Sequence, residues 1–248
     1  FINITNLLLL YYKPWCRKPC CKSKVCSMIK LVIFDLDGTL INSIADLATA
    51  ANFALANNDI KGHSVEDYTK MVGHGVRKMI ENALEKSLST LPQPELVDKV
   101  LANFTAYYVE HIDVHTKPYP GMVELLKELA SNSVKLAVAS NKFQAGAEKL
   151  VYALFPDVEF VSVLGNKEGL PLKPSAEVVE LILAKSGVQK GECMFVGDSA
   201  TDVKTAHNAG VPCVGVTWGF RPQSDLEAAG AEHIAKNAAE LAALLLKS

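Results

Sequence analysis

The chain has 248 residues, 25 Lys+Arg against 27 Asp+Glu, a formal net charge of −2, and 49% hydrophobic and 21% charged residues. These values exclude a disordered or low-complexity chain, and a near-neutral balance offers no basic face for nucleic acid. No apolar run approaches the ~20 residues of a membrane helix, and the length suits one domain, or a core with a sizeable insertion.

The first 27 residues stand apart. They carry Lys13, Arg17, Lys18, Lys22 and Lys24, no acidic residue, and the cysteines Cys16, Cys20, Cys21 and Cys26. A secretory signal places charge before its apolar stretch, whereas Leu7-Leu8-Leu9-Leu10 precedes the charges here. The cysteine spacing is not that of a zinc knuckle. Residues 1–27 therefore read as a non-native or mis-started leader, with the protein proper beginning at Met28. The remaining cysteines, Cys193 and Cys213, lie in apolar runs, as reduced core thiols do.

From Met28 the elements follow one another clearly. Ile29–Phe34 is a short apolar run that reads as a buried strand. Residues 43–114 then show no strand. They give helical patterns over Ile44–Asn57, Ser64–Met71, Val76–Ser87 and Glu95–Asp113, with Ser64 and Asp67 as a helix start. Tyr119-Pro120-Gly121 marks a return. Strands follow at Lys135–Ser140, Phe160–Leu164, Cys193–Asp198 and Pro212–Trp218. Helical patterns cover Gly121–Asn132, Ala176–Lys185, Ala200–Ala209 and Ala238–Leu246. Continuous apolar strands alternating with helices predict an α/β fold: a Rossmann-like parallel sheet core over 28–42 and 115–248, with an inserted α-helical cap over 43–114.

Polar groups gather at the strand ends. The first strand closes Phe34-Asp35-Leu36-Asp37-Gly38-Thr39-Leu40. A calcium loop is excluded, because the positions that need Gly and Glu hold Leu40 and Asp46. Ser140-Asn141 closes the second strand, Lys173 follows the third, and Gly197-Asp198-Ser199-Ala200-Thr201-Asp202 closes the fourth. Singly, Ser140 and Ser199 read equally well as helix caps and Asp202 as a surface charge. In a parallel sheet, however, all these ends share the edge where ligands bind.

These four motifs, in this order, resemble the haloacid dehalogenase superfamily of phosphotransferases over residues 28–248. More narrowly, the run from Phe34 to Val72-Gly73-His74-Gly75 resembles phosphoglycolate phosphatases. The resemblance implies Asp35 as nucleophile, forming an aspartyl-phosphate, and Asp37 as general acid/base. It implies Mg²⁺ on the Asp35 carboxylate, the Asp37 backbone carbonyl and Asp198, with Asp202 a further or occasional ligand. Thr39, Ser140, Lys173 and the amides of Leu36 and Asn141 would bind the phosphoryl group, aided by a helix starting near Asn141. Asp37 argues against a dehalogenase, and Gly197 stands where mutases of the family carry an acid.

Gly73-His74-Gly75-Val76-Arg77 reads as a flexible turn into a helix, and Arg77 as the contact for a substrate carboxylate; a solvated surface arginine is the plainer alternative. The sequence shows no dinucleotide fingerprint, nucleophile elbow or Walker A loop. The expectation is a cytoplasmic, Mg²⁺-dependent phosphatase, monomer or homodimer, acting on a small phosphorylated metabolite, first 2-phosphoglycolate. Pyrophosphate or a sugar phosphate, a β-phosphoglucomutase-like transfer, and a non-catalytic phosphate-binding module are the alternatives.

Overall fold

Leu31–Phe34 (β1) is apolar and fully buried at all four positions. Alternate side chains of a strand point to opposite faces, so such a run needs cover on both sides. The computed structural model describes residues 28–246, and the expected leader over 1–27 lies outside the described residues.

After β1 come β2 (Ile41–Asn42) and four helices: α1 (Ile44–Ala56), α2 (Val65–Met71), α3 (Val76–Leu88) and α4 (Pro94–Glu110). The chain returns through β3 (Lys117–Pro118), α5 (Met122–Ser131), β4 (Lys135–Phe143) and α6 (Gln144–Leu154). It continues with β5 (Ser162–Asn166), α7 (Glu177–Ser186), β6 (Cys193–Gly197) and α8 (Ala200–Ala209). It ends with β7 (Cys213–Val216), α9 (Gln223–Ala229), β8 (His233–Ala235) and α10 (Ala238–Leu246).

Six strands form one parallel sheet in the order β5-β4-β1-β6-β7-β8. Val32 and Phe34 pack in one core with Leu125 and Leu129 of α5 and Leu241 of α10. Leu31 and Ile33 pack in the other with Val179 and Ile182 of α7 and Val203 and Ala206 of α8. The parallel α/β expectation therefore holds. Three short strands and the helices α6 and α9 go beyond the sequence reading. The helix expected near Asn141 begins only at Gln144, because β4 stays extended and pairs Phe143 with Asn166 after a register shift.

β1 has β4 on one side and β6 on the other, and the chain runs outward from β1 in both directions. That is the topological switch point at which such sheets open a crevice.

The four helices α1–α4 leave and rejoin the sheet through the antiparallel pair β2–β3, where Ile41 opposes Pro118 and Asn42 opposes Lys117. Ser64 and Asp67 form the capping box of α2, as the sequence suggested. Asp46 of α1 fastens the two crossing chains. Its buried carboxylate accepts from the backbone N–H of His115 (2.9 Å) and of Thr116 (2.9 Å) and from Thr116 Oγ1 (2.7 Å).

Removing that acceptor would strand two backbone donors at the root of the insertion. Asp46→Ala is expected to cost about 3 kcal/mol of unfolding free energy in denaturant titration. A cost within about 0.5 kcal/mol, the usual surface range, would show that the insertion is anchored elsewhere.

Candidate active site

The sheet edge at the switch point builds the site from the chain at the ends of four neighbouring strands, β5, β4, β1 and β6. The Asp35 N–H still donates to Val196 O (2.9 Å), so the carboxylate leaves the sheet at a backbone position held from β6. Its own Oδ1 accepts from the next amide, Leu36 N, at 2.7 Å. Gly38, at φ +93°, then turns the chain; a Cβ there would lie 2.5 Å from Asp198 Oδ2. Only glycine tolerates both the angle and the contact. At Gly197 an added Cβ would overlap the Asp202 side chain, so the acid that mutases place there has no room here.

Asp198 leaves β6 beside Asp35 and is held by Phe220 N–H on Oδ2 (2.7 Å) and by Thr39 Oγ1 on Oδ1 (3.4 Å). Asp202 sits in the first turn of α8. Its Oδ2 accepts from Ser199 Oγ (2.6 Å) and Ser199 N (3.1 Å), completing a capping box. Its Oδ1 faces Lys173 Nζ at 2.7 Å, and the same ammonium lies 2.7 Å from Asp35 Oδ1. The Lys173 side chain is only 3% exposed.

Ligand oxygens of Asp35, Asp198 and Asp202 lie within 4.8 Å of one another, all three residues buried. Burial pushes the Asp35 carboxyl up to about 8, against the pull of Lys173 and with Asp202 and Asp198 adding to the rise. Burial, with Asp202, lifts Asp198 to about 7. Burial opposes charge on Lys173, but Asp202 and Asp35 outweigh it and raise its pKa above the usual lysine range. Three carboxylates against one ammonium leave surplus negative charge in a desolvated site. A hard divalent cation fits this oxygen-only donor set.

Asp35, Asp37, Ser140, Asn141 and Lys173 all line one cavity. Its floor is polar and comes from the sheet edge. Its roof is apolar, from Leu47, Val72, Val76 and Met79 of the helical insertion.

Two expected contacts are not brought to the cavity. Thr39 is fully buried behind Asp198 and does not line it. Arg77 lies on the outer side of α3, where its half-exposed guanidinium pairs with Asp98 of α4. The side chain of Asn141 is already engaged: Oδ1 accepts from Lys173 N (2.8 Å), and Nδ2 donates to Gly73 O (3.0 Å) and Lys173 O (3.2 Å). It fixes the Lys173 loop against the insertion.

Two cationic residues escaped the sequence reading. Lys142 lines the cavity, buried, and contacts both Asp37 oxygens. Arg221, one residue beyond the amide that holds Asp198, reaches into the insertion. It donates to the carbonyls of Thr69, Lys70 (3.3 Å) and Val72 (2.7 Å) at the C-terminal end of α2. Those carbonyls are the ones a helix end leaves without intrahelical partners.

Comparison with known proteins agrees with this geometry. Residues 32–216 match the model of the haloacid dehalogenase-like hydrolases. The phosphoglycolate phosphatase of Agrobacterium fabrum is 33% identical over 199 residues, 79% of this chain and 85% of that protein. The phosphoglycolate phosphatase of Mesorhizobium japonicum is 32% identical over 190 residues, 77% of this chain and 83% of that one. A crystal structure from Lactobacillus delbrueckii subsp. bulgaricus superposes with a TM-score of 0.85 at 33% identity, covering 89% of this chain and all of the other. With the family model spanning most of the chain and the four motifs converging at one sheet edge, the chain belongs to the haloacid dehalogenase-like hydrolases and is a phosphatase of that family.

Proposed function

We propose that the protein hydrolyses 2-phosphoglycolate to glycolate and phosphate through a phosphoryl-Asp35 intermediate. The observation that carries this is the placing of Lys173 within 2.7 Å of both Asp35 and Asp202 on the floor of a cavity that Asp37 and Ser140 also line. The phosphoglycolate phosphatases of Agrobacterium and Mesorhizobium, as relatives, support the substrate, and a cavity roofed by apolar side chains suits a small one.

Asp35 Oδ attacks phosphorus in line, and the bond from phosphorus to the glycolate oxygen breaks. Asp37 gives that oxygen its proton. Asp37 then takes a proton from water as the water oxygen attacks phosphorus and the bond from phosphorus to Asp35 Oδ breaks, releasing phosphate and restoring the Asp35 carboxylate and the protonated Asp37. Lys173 and Ser140 hold the phosphoryl oxygens, and Asp202 aims Lys173. Asp35 and Asp198, with the Asp37 backbone carbonyl, would hold Mg²⁺. When bound, the cation neutralises charge on the crowded carboxylates and on the phosphoryl group. Residues 43–114 act as a cap over a core of 28–42 and 115–248, excluding water from the reacting atoms.

Purified protein with Mg²⁺ should release phosphate from 2-phosphoglycolate with a higher kcat/KM than from other small phosphate esters or pyrophosphate. Preference for one of those would move the substrate assignment and leave the chemistry standing. Asp35→Asn should abolish turnover while circular dichroism and the melting temperature stay near those of the parent, since an amide fills the same volume but is not a useful nucleophile. Retained activity above a few per cent would remove Asp35 from that role.

The raised carboxyl groups give the metal assignment its own test. A carboxyl whose folded pKa lies above its unfolded value near ~4 stabilises the fold while protonated. That contribution is present at low pH and is lost as pH rises through about 7 for Asp198 and about 8 for Asp35. In EDTA, stability should therefore fall between about pH 5 and about pH 8. A cation that binds the ionised form should offset the fall. The melting-temperature gain on adding Mg²⁺ should grow with pH across this window. A gain that is absent, or larger at low pH, would contradict the assignment.

A further inference from the structure

Lys142 is a buried cation for which the chemistry proposed above has no use. Its side chain is 2% exposed, at the last turn of extended chain before α6. Its Nζ lies 3.1 Å from Asp37 Oδ1, 3.2 Å from Asp37 Oδ2 and 2.6 Å from the hydroxyl of Tyr108. It also stands 4.9 Å from the centre of the Tyr108 ring. Tyr108 belongs to α4, so a core ammonium is shared between a core carboxylate and the helical insertion. Ser43 Oγ donates to the same Asp37 Oδ1 at 2.5 Å. Desolvating an ammonium is costly, and a buried one persists only where partners compensate for lost water. Here the compensation is spent on fixing one carboxylate, and Asp37 remains partly open to the cavity, its side chain 19% exposed.

We propose that Lys142, braced by Tyr108, is the positioning residue for Asp37, holding its carboxylate where the leaving oxygen is protonated. This rests on the reading of Asp37 as the acid/base. A short flexible acid gains catalytic power only when its oxygen is held in reach of the reacting atom, and small displacements cost rate steeply. Two oxygens gripped by one ammonium, with a hydroxyl on the other side, restrict the carboxylate in torsion and in position. Because the Tyr108 hydroxyl comes from α4, the grip is complete only with the insertion packed on the core.

The test uses leaving groups. An alkyl alcohol departs from phosphorus poorly without a proton, whereas p-nitrophenolate departs without one. kcat/KM would be measured for 2-phosphoglycolate, for ethyl phosphate, which has the alkyl leaving group and no carboxylate, and for p-nitrophenyl phosphate. Lys142→Met should lower kcat/KM roughly 100-fold for both alkyl esters and within about threefold for the aryl ester. Tyr108→Phe, which keeps the ring and removes only the hydroxyl, should show the same split at roughly 5- to 10-fold, and it decides the matter if Lys142→Met fails to fold. In an Asp37→Asn background, Lys142→Met should add little further loss on the alkyl esters, as expected of residues acting as one unit.

Equal losses on all three substrates would reduce Lys142 to a structural support and overturn the proposal. Loss on 2-phosphoglycolate with ethyl phosphate spared would make Lys142 a carboxylate anchor and also overturn it. If Asp37→Asn itself shows no difference between alkyl and aryl esters, the acid/base reading of Asp37 fails, and this proposal with it. If Asp37→Asn shows the split and neither Lys142→Met nor Tyr108→Phe does, only the role of Lys142 falls.

Discussion

Three buried carboxylates share one buried ammonium, and most of the molecule is arranged around that imbalance. Asp35 and Asp198 can stand together only because β1 and β6 are neighbours at the centre of the sheet. Asp202 reaches them because α8 starts directly after β6 and a glycine precedes Asp198. Lys173 arrives on a long connection after β5, and its placement depends on the Asn141 side chain, which grips the backbone of that loop at both N–H and C=O. Like charges held apart from water favour protonation, and an oxygen-hungry divalent cation is the natural way to keep them ionised.

The insertion supplies what this floor lacks, an apolar roof. It is tied down from several directions: Asp46 at its root, Arg221 at the end of α2, Asn141 at the Gly73 carbonyl, and Lys142 at Tyr108. Each of these four ties involves a residue that lines the cavity or is next to one that does. Packing of the insertion and geometry of the polar groups at the cavity are therefore physically linked. Charge stays with the core, since no charged side chain of the insertion lines the cavity.

Much of this was legible in the sequence. Continuous apolar strands announced a sheet covered on both faces, and the rule that ligands gather at the carboxyl ends of parallel strands brought Asp35, Ser140, Lys173 and Asp198 together. What stayed hidden depended on long-range pairing. β2 and β3 are two residues each and exist only because they meet one another. Nothing in the sequence around Asp46 marks its role, since its partners lie about seventy residues away. Lys142 seemed to belong to a helix start because nothing local tells that β4 continues to Phe143. Arg77 could have been placed from periodicity. Val76, Met79, Ile80 and Ala83 form the inward stripe of α3, and Arg77 falls off that stripe, facing Asp98 instead.

The proposed mechanism turns on one covalent bond, the phosphoryl group resting on Asp35 during turnover. An acyl phosphate is reduced by borohydride to the alcohol, which converts the aspartate at that position to homoserine. The most direct measurement is to quench the enzyme during steady turnover of 2-phosphoglycolate, reduce it, and map the peptides by mass spectrometry. Homoserine at position 35, dependent on substrate and absent from Asp35→Asn, is the expected result. Reduction at another carboxylate, or no reduction under conditions of full turnover, would contradict an aspartyl-phosphate at Asp35.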